Sequence, residues 1–156
     1  MDVRAEILAL DAKDVVAARI VIASSPEKIF TYLADPRSHA LFDGSSTIEG
    51  RISGPDRLFL GARFGMAMKI RVPYRITNEV VAFKDNHLIT WRHLMKWTWS
   101  YELLDLGDGT TQVTETFDAS VCNRAQLWWV YKTDSLKRNP KWMAKSLVKL
   151  KALCEA

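Results

Sequence analysis

The sequence predicts an α+β fold in which a seven-stranded antiparallel sheet packs against one long C-terminal helix. Three observations predict it. From Asn139 to Ala156, Met143, Leu147, Leu150 and Cys154 recur at helical spacing, while Lys141, Lys145 and Lys149 line the opposite side. Between residues 46 and 119, apolar and polar residues alternate with period two, in runs separated by turn residues. The helix must bury its apolar stripe, and the sheet is the one large surface able to receive it.

In chain order, MDVRAEILALDAKD (1–14) is charged throughout and reads as an N-terminal extension lacking the apolar core of a signal peptide. VVAARIVIA (15–23) is rich in β-branched residues and forms the first strand. A short helix follows: Ser25 caps it, Pro26 and Glu27 suit its first turn, and Asp35-Pro36 ends it. A second short helix covers Arg37 to Phe42, and Asp43-Gly44-Ser45-Ser46 makes a turn. Strands are expected at 46–53, 62–70, 74–84, 87–94, 97–106 and 110–119, and their short connections make successive strands antiparallel neighbours. Asp85-Asn86 reads as a two-residue turn, Met95-Lys96 as a tight turn with an apolar tip, and Gly107-Asp108-Gly109 as a third.

Residues 121–138 break the alternation, with Trp128, Trp129 and Tyr131 in a helical stretch. Adjacent helical positions lie about 100° apart, so two neighbouring tryptophans cannot both face one core. Asn139 is expected to cap the terminal helix, with Pro140 in its first turn, where proline costs no hydrogen bond. All 156 residues read as one domain.

Composition narrows the function. The chain has 22 basic and 18 acidic residues, and from residue 132 onward seven basic residues face two acidic ones. The basicity therefore belongs to the terminal helix, where a lysine face is ordinary solvated surface; no nucleic-acid partner is expected. No run approaches the roughly 18 apolar residues of a membrane-spanning helix, and the cytoplasm is the expected location. Cys122 and Cys154 have neither disulfide-framework nor metal-ligand spacing. Without a phosphate loop, nucleophile elbow or HExxH, no cofactor and no metal are expected.

Period two places Phe64, Met66, Met68, Trp91, Trp97, Trp99, Tyr101, Val113 and Phe117 on one face of the sheet, opposite Met143 and Leu147 of the helix. These side chains either line a pocket for a flat or greasy ligand or fill a core. The same face takes Glu115 and His93, which a plain core would not choose. They are candidates for general acid/base work. Alternatively Glu115 is satisfied structurally by Arg92, Tyr101 or a tryptophan N–H. Asp43 reads as a turn former and His39 as a lone surface histidine without a role. Trp128, Trp129 and Tyr131 suit a lid, a homodimer interface or a packing patch.

The phrases ASSPEKIFTYLADPRSH (23–39), FDGSS (42–46), FGMAMK (64–69), NEVVAF (78–83), ITWRH (89–93) and GTTQVTETFD (109–118) resemble small bacterial, actinobacterial-like members of the START-related helix-grip superfamily. Within it, the polyketide cyclase/dehydrase and lipid-transport group is most similar, over about residues 15–155. The resemblance implies a strongly curved sheet gripping the terminal helix around an apolar cavity. It carries no shared catalytic motif. The expected function is intracellular binding of a small hydrophobic molecule (lipid, aromatic polyketide or isoprenoid). The alternatives are a cyclase or dehydratase using Glu115 or His93, and a dimerising interaction module.

Overall fold

The computed structural model describes residues 3–69 and 72–156. Ile70, the last residue of one expected strand, and the first two residues of the extension lie outside that range. Eight strands are present: β1 (Glu6–Leu8), β2 (Val15–Ile22), β3 (Ile48–Ser53), β4 (Arg63–Lys69), β5 (Pro73–Lys84), β6 (Leu88–His93), β7 (Thr98–Asp105) and β8 (Thr111–Asp118). Helices α1 (Pro26–Ala34) and α2 (His39–Phe42) follow β2, and α3 (Arg124–Lys132) and α4 (Ser135–Glu155) follow β8.

The strands form one antiparallel sheet in the order β1-β2-β8-β7-β6-β5-β4-β3. The meander β3 to β8 is built from hairpins, and β2 adds to β8 across the chain, with Ala18 opposite Glu115 and Val16 opposite Phe117. The eighth strand is the correction to the expected seven. Glu6 to Leu8, inside the supposed extension, pair with Ala17 to Arg19. Three residues between charged neighbours are too short to show a period-two signal.

The register breaks between Val80 and Ala82 and between Ile48 and Ile52, and such irregularities raise local twist and bend a sheet. The β5–β6 connection is a three-residue turn, Asp85 to His87, rather than the expected two. Asn86 takes the positive φ of 63° that asparagine tolerates.

Helix α4 runs along β2. Leu147 and Leu150 are fully buried with Ile22, Ile29, Phe30, Leu33, Leu58, Ile89 and Val113. At its C-terminal end, Lys151 Nζ donates to the Val21 carbonyl and the Ala23 N–H donates to Glu155, each within 2.9 Å. On its flank, the Gly44 N–H donates to Ser146 Oγ at 2.8 Å and Lys149 Nζ donates to the Asp43 carbonyl at 2.9 Å.

The start of α4 differs from expectation. It begins at Ser135, Pro140 lies inside it, and Asn139 is buried rather than capping. Thr133 and Asp134 alone separate α3 from α4, and Asp134 turns the chain with a φ of 57° and no side-chain cap. The helix thus bears the loss of the hydrogen bond that Pro140 cannot donate. In exchange Ser135 and Asn139 are buried against the rest of the fold.

Candidate functional site

The inner face of the sheet divides into a closed floor, an aromatic centre and a half-open rim. Ile89, Leu103 and Val113 form the floor and are 4% exposed or less. At the centre, α2 projects His39 onto the sheet. Its ring stacks on Trp91 with centroids 5.0 Å apart and meets Phe64 edge-on at 5.5 Å. Trp91 lies 5.7 Å from Tyr101, and Phe42 meets Tyr101 edge-on at 6.1 Å.

His39 is therefore no surface histidine, as its sequence context had suggested. It is 3% exposed, and its Nε2 donates to the Leu33 carbonyl at 2.9 Å. Burial lowers its pKa, so the ring is neutral, with its proton on the Nε2 that bonds Leu33. The legible signal was its i, i+3 spacing to Phe42, which places both on one helical face.

Glu115 stands on β8 directly opposite Tyr101 on β7 and Ala18 on β2. It is 4% exposed. The Tyr101 hydroxyl donates to its carboxyl, while Oε2 has no partner. Burial pushes its pKa up to about 8, and the nearby Asp43 adds to the rise. The carboxyl is accordingly protonated at neutral pH, and Tyr101 is raised well above its ordinary range by the same burial. Of the structural partners considered from sequence, Tyr101 is present. Arg92 is not, because it pairs with Glu79 at 3.5 Å.

His93, Trp97 and Trp99 form the half-open rim and are partly buried, as is Met68, which lies apart from them on β4. Trp99 packs on Phe117 at 4.9 Å, and His93 stacks on Trp97 at 4.5 Å. Trp97 lies in the turn before β7 rather than in a strand. The Met95 N–H donates to His93 Nδ1 at 3.0 Å, which leaves the ring proton on Nε2 and makes His93 a donor rather than a base. Glu115 and His93 do not form one constellation. The register sets them two strands apart and four residues along, on the order of 13 Å in the strand direction alone.

Of the remaining expected residues, Phe64, Met66, Phe117 and Met143 are buried on this face, with Leu147 at the floor. Trp128, Trp129 and Tyr131 are exposed on α3, where the Tyr131 hydroxyl donates to Asp14 at 2.6 Å. Ahead of α3, Cys122 Sγ donates to the Met95 carbonyl of the hairpin turn at 3.5 Å. The exposed apolar residue of that tip is Leu94, at 83%, and not Met95.

The expected central cavity is occupied by the contacting rings of His39, Phe42, Phe64, Trp91 and Tyr101. A cleft of about 510 Å³ lies elsewhere, between Val3 to Ala5 and the outer flank of α4. Another, of about 320 Å³, lies along β3 to β5 beside Met66 and Ile76. Among the described residues no group of three His, Cys, Asp or Glu side chains is placed to hold a metal, and no helix is long and apolar enough to cross a membrane.

The family described as "Polyketide cyclase / dehydrase and lipid transport" matches residues 13–155. The uncharacterized protein Rv0088 of Mycobacterium tuberculosis is 40% identical over 104 residues, which cover 66% of this chain and 46% of that protein. The match thus spans about half the length of this curated relative. Protein Ms6760 of Mycobacterium smegmatis has a similar fold, with a TM-score of 0.67 at 16% identity over 96% of each chain. The Zhui aromatase/cyclase of Streptomyces sp. R1128 has a TM-score of 0.62 at 14% identity, covering 90% of this chain and 93% of that one. At these identities the likeness to solved structures is one of fold.

Proposed function

Because the chain belongs to the polyketide cyclase / dehydrase and lipid transport family, we propose that it is an intracellular binding protein for a small hydrophobic molecule. The ligand enters beside Trp97 and Trp99, and its inner end reaches Glu115 by moving aside the Trp99 and Phe117 rings that pack together there. The observation that carries this reading is the unpartnered Oε2 of Glu115. A buried polar atom without a partner costs roughly 1–3 kcal/mol, and a ligand hydroxyl or carbonyl would offset that cost. Apart from the nearby Asp43 and the Tyr101 hydroxyl, its neighbours on this face, Val113 and Phe117 among them, are apolar or aromatic, so the rest of the ligand is apolar, as in a lipid, an isoprenoid or an aromatic polyketide.

Native mass spectrometry of the freshly purified protein is expected to show a co-purified small molecule, released on denaturation. A bare-chain mass, together with unchanged tryptophan fluorescence when retinol and 1-naphthol are titrated in, would count against the reading.

A second reading is favoured by the pKa of Glu115, raised to about 8. A carboxyl protonated at neutral pH in an apolar wall is a general acid, able to give its proton to a carbonyl oxygen while water takes the α-proton, so that the carbonyl enolises during cyclisation or dehydration. The Glu115→Gln variant separates the two. A carrier keeps its affinity within a few fold. An enzyme loses deuterium exchange α to the carbonyl of an aryl ketone such as 1-tetralone, read by mass spectrometry in D₂O.

A further inference from the structure

The cleft of about 510 Å³ lies outside the inner face of the sheet. Three segments build it: the residues leading into β1, the turn after α2, and the outer flank of α4. Its volume falls within the roughly 300–1,000 Å³ of small-molecule sites.

Helix α4 carries a second stripe here. Ala144 and Val148 lie one turn apart, offset from the core stripe of Met143 and Leu147, and both are half-buried. With Val3 and Ala5 they give the cleft an apolar floor. Lys145 and Lys149 flank that floor, also one turn apart, and Arg4 lines it from the β1 side. Like charges at this helical spacing repel each other. Among the described residues no acidic side chain lines the cleft. The carboxylates nearest in sequence are engaged elsewhere. Glu6 takes a bond from Arg19 at 2.8 Å, and Asp43 takes one from the Ser45 hydroxyl at 2.8 Å. Lysines without a carboxylate partner are common on protein surfaces; these two border a concavity with an apolar floor.

The walls are set without a ligand. Lys149 Nζ is tied to the Asp43 carbonyl at 2.9 Å, and the Gly44 N–H to Ser146 Oγ at 2.8 Å. The turn lies so close to α4 that a β-carbon on Gly44 would sit 2.7 Å from the Lys145 Cβ. One bond to a neutral carbonyl leaves the Lys149 ammonium two further N–H donors.

We propose that this cleft binds a phosphate monoester carrying a short apolar body. The phosphate, at a charge of about −1.5 to −2 near neutral pH, answers three converging cations where a carboxylate would bring a single charge. Ammonium groups act on it as point charges and need no planar partner. The apolar body lies on Val3, Ala5, Ala144 and Val148. The inference does not rest on the rim being a ligand site.

The test titrates hexyl phosphate, inorganic phosphate and hexanol into ¹⁵N-labelled protein at low ionic strength, followed by amide chemical shifts. Hexyl phosphate is expected to shift the amides of Ala5, Gly44, Ser46 and Lys145 saturably, tenfold or more tighter than either half-molecule. Lys145→Gln is expected to weaken it several-fold and Lys145→Arg to restore it; Lys145 is exposed, so the fold does not depend on it. Shifts scattered over the lysines of the whole surface, or equal affinity for hexyl and inorganic phosphate, overturn the inference. So do shifts at these amides that follow protein concentration without ligand, which would mark a second copy as the occupant. Shifts confined to the Trp97 and Trp99 indoles overturn it while supporting the rim site, so the two readings fail separately. Vesicles of phosphatidylcholine with and without phosphatidate identify the source: sedimentation of the protein with the phosphatidate vesicles alone assigns the phosphate to a lipid headgroup, and no sedimentation assigns it to a soluble ester. The wild-type comparison of the three probes needs no variant.

Discussion

Replacing Glu115 with glutamine is expected to stabilise the folded protein at about pH 8.5 by on the order of 5 kcal/mol, and to leave it nearly unchanged at about pH 4. In the unfolded chain this carboxyl ionises near its ordinary value of 4.5; in the folded chain it keeps its proton to about 8. Below the lower value both states are protonated, and the wild-type residue carries no ionisation cost. Between the two values only the unfolded chain releases the proton, so each pH unit removes about 1.4 kcal/mol of stability. Above the higher value both states are ionised and the loss levels off. Glutamine cannot ionise, and its side-chain oxygen accepts the same Tyr101 hydrogen bond. Urea unfolding across this range should therefore show a falling wild-type midpoint that the variant does not share. Parallel curves for the two proteins would mean that the carboxyl is not held protonated by the fold.

Gly44→Ala is expected to cost on the order of 3 kcal/mol, read as a fall in melting temperature of roughly 10 °C. A methyl group at this position would lie 2.3 Å from the Trp142 carbonyl oxygen and 2.6 Å from the Ser146 nitrogen. Those atoms belong to the backbone of α4 and cannot swing aside as a side-chain tip would. The turn after α2 would have to retreat from α4, weakening the Gly44-to-Ser146 and Lys149-to-Asp43 bonds together. Ser146→Ala provides the comparison. It removes the first of those bonds without a steric demand, at about 1 kcal/mol. If Gly44→Ala melts no lower than Ser146→Ala, close approach is not what requires glycine here.

The sheet was largely legible because period two is a strong signal over long runs. It put Tyr101, Glu115, Trp99 and Phe117 on one face, where the register indeed pairs them. The long helix was legible for the same reason, but its beginning was not. Asn139 and Pro140 look like a helix start, yet tertiary burial of Ser135 and Asn139 extends α4 by an earlier turn. The central filling was also hidden. His39 comes from a four-residue helix, and its spacing to Phe42 says only that the two share a face, not that the imidazole folds under Trp91. Lys145 and Lys149 read as solvated surface in the sequence, because the cleft they border is a property of the whole fold and not of helical spacing. Strand β1 escaped because three residues carry no period.

The two ends of the sheet bear on how copies of this protein meet. One border is the three-residue β1, and the other is β3, whose ladder with β4 loses register between Ile48 and Ile52. A neighbouring chain seeking to extend the ladder would find either too few consecutive amides or a kinked row of them, and both oppose fibril-like stacking. Both borders of the sheet thus work against association through backbone zippering.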